Sequence, residues 1–211
     1  TGMNWTAWDD GLATNGENYG MFTTDLGDIN NDGLLDIGSV SFGCCSGIHI
    51  YKNLGNGNWT QTFGFNSGNS AMEFSFGDNN NDGNIDFVVS HQAGGVYFGE
   101  GTGAFTLMHS NLPSPGLQGL RGISLGDVNG DGSKDVAFIG GSSPYPVNVW
   151  KWNGITNQWD NLSSNLPSTS SFQATMLYDM NSDGVCDLVL FGSSSCVVYT
   201  GNGGANWTQT A

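Results

Sequence analysis

The sequence predicts an all-β fold, a β-propeller of four four-stranded blades, and three observations carry that prediction. The stretch GDINNDGLLD at 27–36 returns as GDNNNDGNID (77–86), GDVNGDGSKD (126–135) and YDMNSDGVCD (178–187), each fitting D-x-N-x-D-G-x-x-D. The leading aspartates, Asp28, Asp78, Asp127 and Asp179, are 50, 49 and 52 residues apart, a period at which repeats build propellers or solenoids. Short apolar, β-branched runs bounded by Gly/Ser turns recur at one phase of that period, and no segment holds a 3.6-residue period over a helical length.

Each unit reads as four strands in order. An extended segment leads into the acidic loop: MFTTDLGD, AMEFSFGD, GISLGD and ATMLYD. A buried-strand run follows it: DIGSVSFG, DFVVS, DVAFIG and DLVLFG. A third run ends in an aromatic (IHIY, GGVYF, VNVW, CVVY), and an aromatic-led fourth segment closes the unit (WTQTF, FTLMH, WDNLS, WTQT). The acidic loop therefore sits in the first hairpin of every four-stranded unit, as the blade of a propeller requires. The expected organisation is one domain over 1–211, with units at about 15–65, 66–111, 112–166 and 167–211 and residues 1–14 as an extra outer strand.

So much like charge in one turn repels itself unless a cation neutralises it. A hard cation such as Ca²⁺ takes six or more oxygens at about 2.3–2.6 Å. The first loop offers Asp28, Asn30, Asp32 and Asp36 with the Leu34 carbonyl; the second Asp78, Asn80, Asp82 and Asp86 with the Asn84 carbonyl. The third offers Asp127, Asn129, Asp131 and Asp135 with the Ser133 carbonyl, and the fourth Asp179, Asn181, Asp183 and Asp187 with the Val185 carbonyl. Gly33, Gly83, Gly132 and Gly184 fall where the chain must bend through positive φ. An EF-hand needs a glutamate at loop position twelve and flanking helices; Ser39, Val89, Phe138 and Leu190 stand there, between strands. Metal-free Asx-turns are the plainer alternative, but a turn needs one or two such residues and not five in register, four times over. The expected cofactor is thus Ca²⁺, about four ions, one per repeat, with a structural role.

These motifs, FGDNNNDGNID above all, resemble the FG-GAP/VCBS repeat family, which includes the calcium-binding blades of integrin α-subunit propellers and several propeller lectins. The resemblance covers nearly the whole chain. It implies calcium-binding propeller blades and leaves the ligand open, and it implies seven blades for most closed rings where this chain has four.

Composition narrows the function. A content of 37% hydrophobic and 12% aromatic residues suffices for a core. Four basic against nineteen acidic residues give a net charge of −15, which argues against nucleic acid and anionic membranes. Twelve of the nineteen acidic residues are loop aspartates, so four divalent ions would bring the charge to about −7. No apolar run is long enough to span a bilayer.

Sequons occur at Asn4, Asn58, Asn161 and Asn206. Their number carries little in a chain so rich in Asn, Ser and Thr, but their common phase beside the fourth-strand tryptophan would put glycans on one rim. His49, His91 and His109 stand outside any catalytic motif, and no G-x-S-x-G, H-E-x-x-H or Walker loop occurs, so no catalytic residue is expected. Trp150, Trp152 and Trp159 are read as core ahead of sugar-stacking platforms. Cys44, Cys45, Cys186 and Cys196 are disulfide candidates; Cys44 and Cys45 are neighbours in sequence and pair elsewhere or stay free. A bridge between the first and fourth units would join the two ends of the repeat array. The cysteines and the calcium loops together point to an extracellular or secreted, cell-surface location.

Fourth-strand aromatics number five, Trp5, Trp59, Phe105, Trp159 and Trp207, for four acidic loops. The surplus strand could start a further blade in a longer chain, or complete a blade of the next molecule head to tail, because an open sheet edge accepts a strand. The resulting expectation is a non-enzymatic extracellular calcium-binding module for adhesion, matrix or structural assembly, filament formation included. Its partner would be a protein or glycan, or another copy of itself. A calcium-stabilised lectin and an accessory domain of a larger secreted enzyme are the alternatives.

Overall fold

The structure, a computed structural model, describes residues 4–12, 21–41, 47–66, 73–90, 95–113, 121–140 and 144–210. Among these there is no helix, and hence none long and apolar enough to cross a membrane.

Sixteen strands form four antiparallel four-stranded sheets, each in simple sequence order. The first contains β1 (Met21–Gly27), β2 (Asp36–Ser41), β3 (Gly47–Asn53) and β4 (Trp59–Asn66). The second contains β5 (Phe74–Gly77), β6 (Asp86–Val89), β7 (Gly95–Gly99) and β8 (Phe105–Leu107). The third runs through β9 (Arg121–Gly126), β10 (Asp135–Ile139), β11 (Val147–Asn153) and β12 (Gln158–Asn161). The fourth comprises β13 (Phe172–Tyr178), β14 (Asp187–Gly192), β15 (Cys196–Thr200) and β16 (Thr208–Gln209). One register recurs in all four first hairpins: the residue before the leading aspartate pairs with the last aspartate, as Gly27↔Asp36, Gly77↔Asp86, Gly126↔Asp135 and Tyr178↔Asp187. The acidic loop is thus the eight-residue connection of the same hairpin in every blade.

In the two middle sheets the second strands, β6 and β10, are apolar on both faces because each lies between two neighbouring sheets. In the second sheet Phe87, Val89 and Tyr97 face the first sheet, while Val88, Val96 and Phe98 face the third. Alternation along a strand divides the residues between two cores. Three such cores result, one per seam. The first is aromatic, with Phe87 stacked on Tyr97 at 4.5 Å and Phe63 edge-on to both. The second centres on Phe138, Trp152 and Trp159, and the third on Leu188, Leu190, Tyr199 and Trp207. No comparable packing joins the first and fourth sheets among the described residues, so the row of blades is open.

The fourth-strand tryptophans bind blade to blade through one repeated bond. The Trp159 indole N–H donates to the Met108 carbonyl at 2.8 Å, and that of Trp207 to Leu162 at 2.7 Å. Trp59 does the same at 2.8 Å, but its acceptor is the Trp8 carbonyl in the N-terminal segment. Trp59 N–H and the Asp10 carbonyl add a 2.8 Å bond, and Asp10 forms a parallel bridge with Asn58. Residues 4–12 therefore lie where a preceding blade would put the end of its outer strand, although they form no strand of their own.

Candidate functional site

Four loops repeat one construction. The leading aspartate turns back on its own loop and accepts backbone N–H groups: Asp28 from Asp32 (3.1 Å) and Gly33 (2.8 Å), Asp78 from Asp82 and Gly83, Asp179 from Asp183 and Gly184. Asp127 takes Gly130 and Gly132 at 2.6 and 2.8 Å. The fifth-position aspartates accept from the residue two further on, Leu34, Asn84, Ser133 and Val185. In the first three loops the third-position amide also donates to them, from Asn30, Asn80 and Asn129. Gly33, Gly83, Gly132 and Gly184 have φ of +84°, +84°, +90° and +93°, the left-handed bend expected of them. The fourth position is left-handed as well, at Asn31, Asn81, Gly130 and Ser182; Asn and Gly signal this, while Ser182 gives no such hint.

The last aspartate of each loop differs from the rest. Asp36, Asp86, Asp135 and Asp187 are fully buried. Asp36 accepts the Ile29 and Asn53 amides at 2.9 and 2.7 Å, Asp86 those of Asn79 and Gly99, and Asp187 those of Met180 and Gly201. In these three blades the residue ties the loop to the end of the third strand and so anchors the hairpin itself, a role its place in the motif did not announce; in the third blade Asp135 accepts only the Val128 amide. Burial pushes Asp36 above the ordinary carboxylate range, Asp86 up to about 7 and Asp135 up to about 8, with the neighbouring loop carboxylates adding to the rise. Asp32 moves the other way: the Asn30 amide, the Leu34 N–H and Lys52 hold it low. Lys52 lies 3.7 Å from Asp32, and Lys151 3.7 Å from Asp131.

Turn chemistry is thus abundant, yet it does not exhaust the loops. A carboxylate offers about four lone-pair positions, and the amides fill only part of them. Asn30 Oδ1 and Asp135 Oδ1 are buried and meet no donor, the condition that an oxygen-binding cation relieves. Among the described residues no three acidic, His or Cys side chains converge on one point.

The other sequence candidates fall as follows. Asn4, Asn58, Asn161 and Asn206 are all exposed. Cys186 and Cys196 are both free thiols and therefore not bridged to each other; Cys44, Cys45 and His91 lie outside the described residues. His49 is buried in β3 and His109 is exposed beyond β8. Trp159 and Trp152 are core residues, as expected, with Trp150 packed against them. One cavity was not foreseen. It measures about 450 Å³, lies at the seam of the second and third blades, and is lined by Asn80, Asn81, Asp131, Lys151, Trp152 and Asn153.

Fold and loops together define a repeat protein of four antiparallel blades with an acidic hairpin loop in each. The sequence profile of the FG-GAP-like repeat matches residues 28–89, from the first loop through β6. No curated protein matches the chain. Among solved structures it is similar to an Agrocybe aegerita lectin described as recognising non-reducing terminal N-acetylglucosamine, with 21% identity and a TM-score of 0.57. The match covers 87% of this chain and 49% of that one, so the chain spans about half the length of that structure. At this identity the likeness concerns the fold.

Proposed function

We propose that the chain is a non-enzymatic, extracellular calcium-binding repeat module serving adhesion, matrix or structural assembly. One Ca²⁺ per loop would be held by the side chains at positions one, three, five and nine and the carbonyl at position seven. In the first blade these are Asp28, Asn30, Asp32, Asp36 and Leu34. The ion neutralises carboxylates that otherwise repel one another, and it satisfies acceptors such as Asn30 Oδ1 that no protein donor reaches. The observation that carries this reading is the fourfold recurrence of one loop geometry, identical in strand register and in the turn at its glycine. Calcium here stiffens the first hairpin of each blade, and the rims of the blades remain free for a partner. Isothermal titration of chelated protein tests it: about four calcium equivalents should bind, with magnesium much weaker. Absence of calcium binding would overturn the reading.

The second reading, a lectin-like module, is favoured by the cavity at the second seam. Amide, carboxylate and ammonium groups from Asn81, Asp131 and Lys151 surround it beside the Trp152 ring, the mixture of polar groups and aromatic face that holds a sugar. The test is retention on immobilised N-acetylglucosamine, compared with Ile155→Asp, a change at an exposed residue of the cavity rim. Calcium binding without glycan retention would leave the assembly module; retention lost in the variant would establish the lectin.

A further inference from the structure

The three seams inside the chain are built from the same repeat positions, which reveals what the two ends lack. From the following blade, the residue two before the leading aspartate and the one just before the last aspartate press onto the preceding blade. Phe76 and Ile85 lie against Gly27, Leu125 and Lys134 against Gly77, and Leu177 and Cys186 against Gly126. Those glycines leave no room to spare: a methyl group at Gly77 would lie 2.8 Å from Leu125, and one at Gly126 2.7 Å from Leu177. The preceding blade contributes the second loop residue, Ile29, Asn79 or Val128, each fully buried. Backbone bonds complete the seam, as from Lys134 N–H to the Asp78 carbonyl and from Cys186 N–H to Asp127, both 2.7 Å.

At the ends, half of this seam stands uncovered. In the first blade, Leu26 and Leu35 hold the two pressing positions and are 53% and 55% exposed. In the fourth blade, Met180 holds the second loop position and is 57% exposed, beside exposed Met176 and Tyr178. The first blade thus presents a leading face, and the fourth a trailing face, that the described residues leave uncovered. We propose that a second copy of this chain joins them: the fourth blade of one molecule docks head to tail against the first blade of the next. The occupant follows from continuity with the three seams, because what covers a trailing face in this molecule is always the leading face of a like blade, and the described residues leave one face of each kind exposed.

Tyr178 stands where the other three blades have glycine. Its ring forbids the tight in-chain approach, so the joint is wider than a seam. A head-to-tail joint of this kind repeats from one molecule to the next. Residues 4–12 occupy part of the docking place and must yield to the incoming outer strand. Trp5 and Trp8 are largely exposed there, and three main-chain or indole bonds hold the segment. Trp207 of the incoming blade is buried in its own core, so the N-terminal segment is the cheaper one to displace.

This inference goes beyond the calcium reading and rests on blade geometry alone. Sedimentation velocity over a range of concentrations, in calcium, tests it with Leu26→Asp and Met176→Asp, both changes at exposed residues that ligate nothing. Wild type should associate progressively, and each variant should weaken self-association about tenfold or more. Mixing the two variants should restore dimers but nothing larger, since only one intact leading face and one intact trailing face remain. Deleting residues 1–12 should tighten association. A monomeric wild type, or variants that associate as wild type does, would overturn the proposal; so would dimers of Leu26→Asp alone, which would mean trailing faces pair with each other. Calcium titration of the same variants reads the loops separately, so either conclusion can fail without the other.

Discussion

Asp32 and Asp36 share one loop, four residues apart, and their carboxyls are driven in opposite directions. Asp36 is buried, bonded to two main-chain amides, and raised by desolvation. Asp32 is at the surface, held low by the Asn30 amide, by Leu34 N–H and by Lys52. The same placement of a buried aspartate beside an exposed one recurs as Asp86 with Asp82 and Asp135 with Asp131. The lesson is that the repeated motif combines two devices. Its last aspartate anchors the hairpin from inside the fold while closing the inner side of the loop, whereas its outer carboxylates face the solvent.

The largest effect expected from this division is on the buried member. Asp86→Ala removes the acceptor of the Asn79 and Gly99 amides and leaves both buried without partners, at a cost of about 2–4 kcal/mol. Urea unfolding in chelator should register that cost, because it does not depend on metal. Asp82→Ala should be within about 1 kcal/mol of wild type in chelator and should lose one calcium equivalent in titration. In calcium at a hundredfold over Kd it should forfeit up to about 2.7 kcal/mol of linked stability. Equal costs for the two variants in chelator would erase the distinction between the two kinds of aspartate.

Acidity sharpens the comparison next. The folded-state values of Asp86 and Asp135 lie above those of an unfolded chain, at about 7 and about 8. Their contribution to the stability of chelated protein is therefore fully present below about pH 4 and is lost as pH rises through 7 to 8. Calcium, which binds the ionised form, should offset that loss at the upper end. The urea midpoint in chelator should fall between pH 5 and pH 8, and Asp135→Asn should flatten the fall. A midpoint that rises with pH in chelator, unchanged in Asp135→Asn, would contradict the burial argument.

The smallest effect concerns the two lysines. Lys52 and Lys151 stand 3.7 Å from fifth-position aspartates at partly exposed sites, so Lys52→Met or Lys151→Met should change stability by less than about 1 kcal/mol. Each should instead raise the calcium affinity of its own loop a few-fold, by removing a competing positive charge. Second and fourth loops carry Phe98 and Thr200 at the matching strand position and serve as internal controls in the same titration.

Much of this architecture was legible in the residues. The motif fixed the hairpin, its period fixed the number of blades, and the apolar runs after each loop became β2, β6, β10 and β14. Trp152 and Trp159 went to the core, as the preference of tryptophan for seams led one to expect. Less visible were features that depend on neighbours not adjacent in sequence. The second loop position holds Ile29, Asn79, Val128 and Met180, a set with no common chemistry, because what buries it is the next blade and not its own hairpin. The anchoring by the last aspartate was hidden for a related reason: a carboxylate that binds amides and one that binds calcium occupy the same place in the pattern. The cavity at the second seam draws on Asn81 from one blade and Lys151 from another, and no single repeat could announce it.

The central claim is that cations lock these loops, and differential scanning calorimetry tests it most directly. Chelated protein would be scanned alone, then with excess calcium, then with equal magnesium. The melting temperature should rise by several degrees or more in calcium, well beyond the magnesium value, with the gain reduced in Asp82→Ala. Superimposable scans in chelator and in calcium would contradict it and would leave the four loops as metal-free turns.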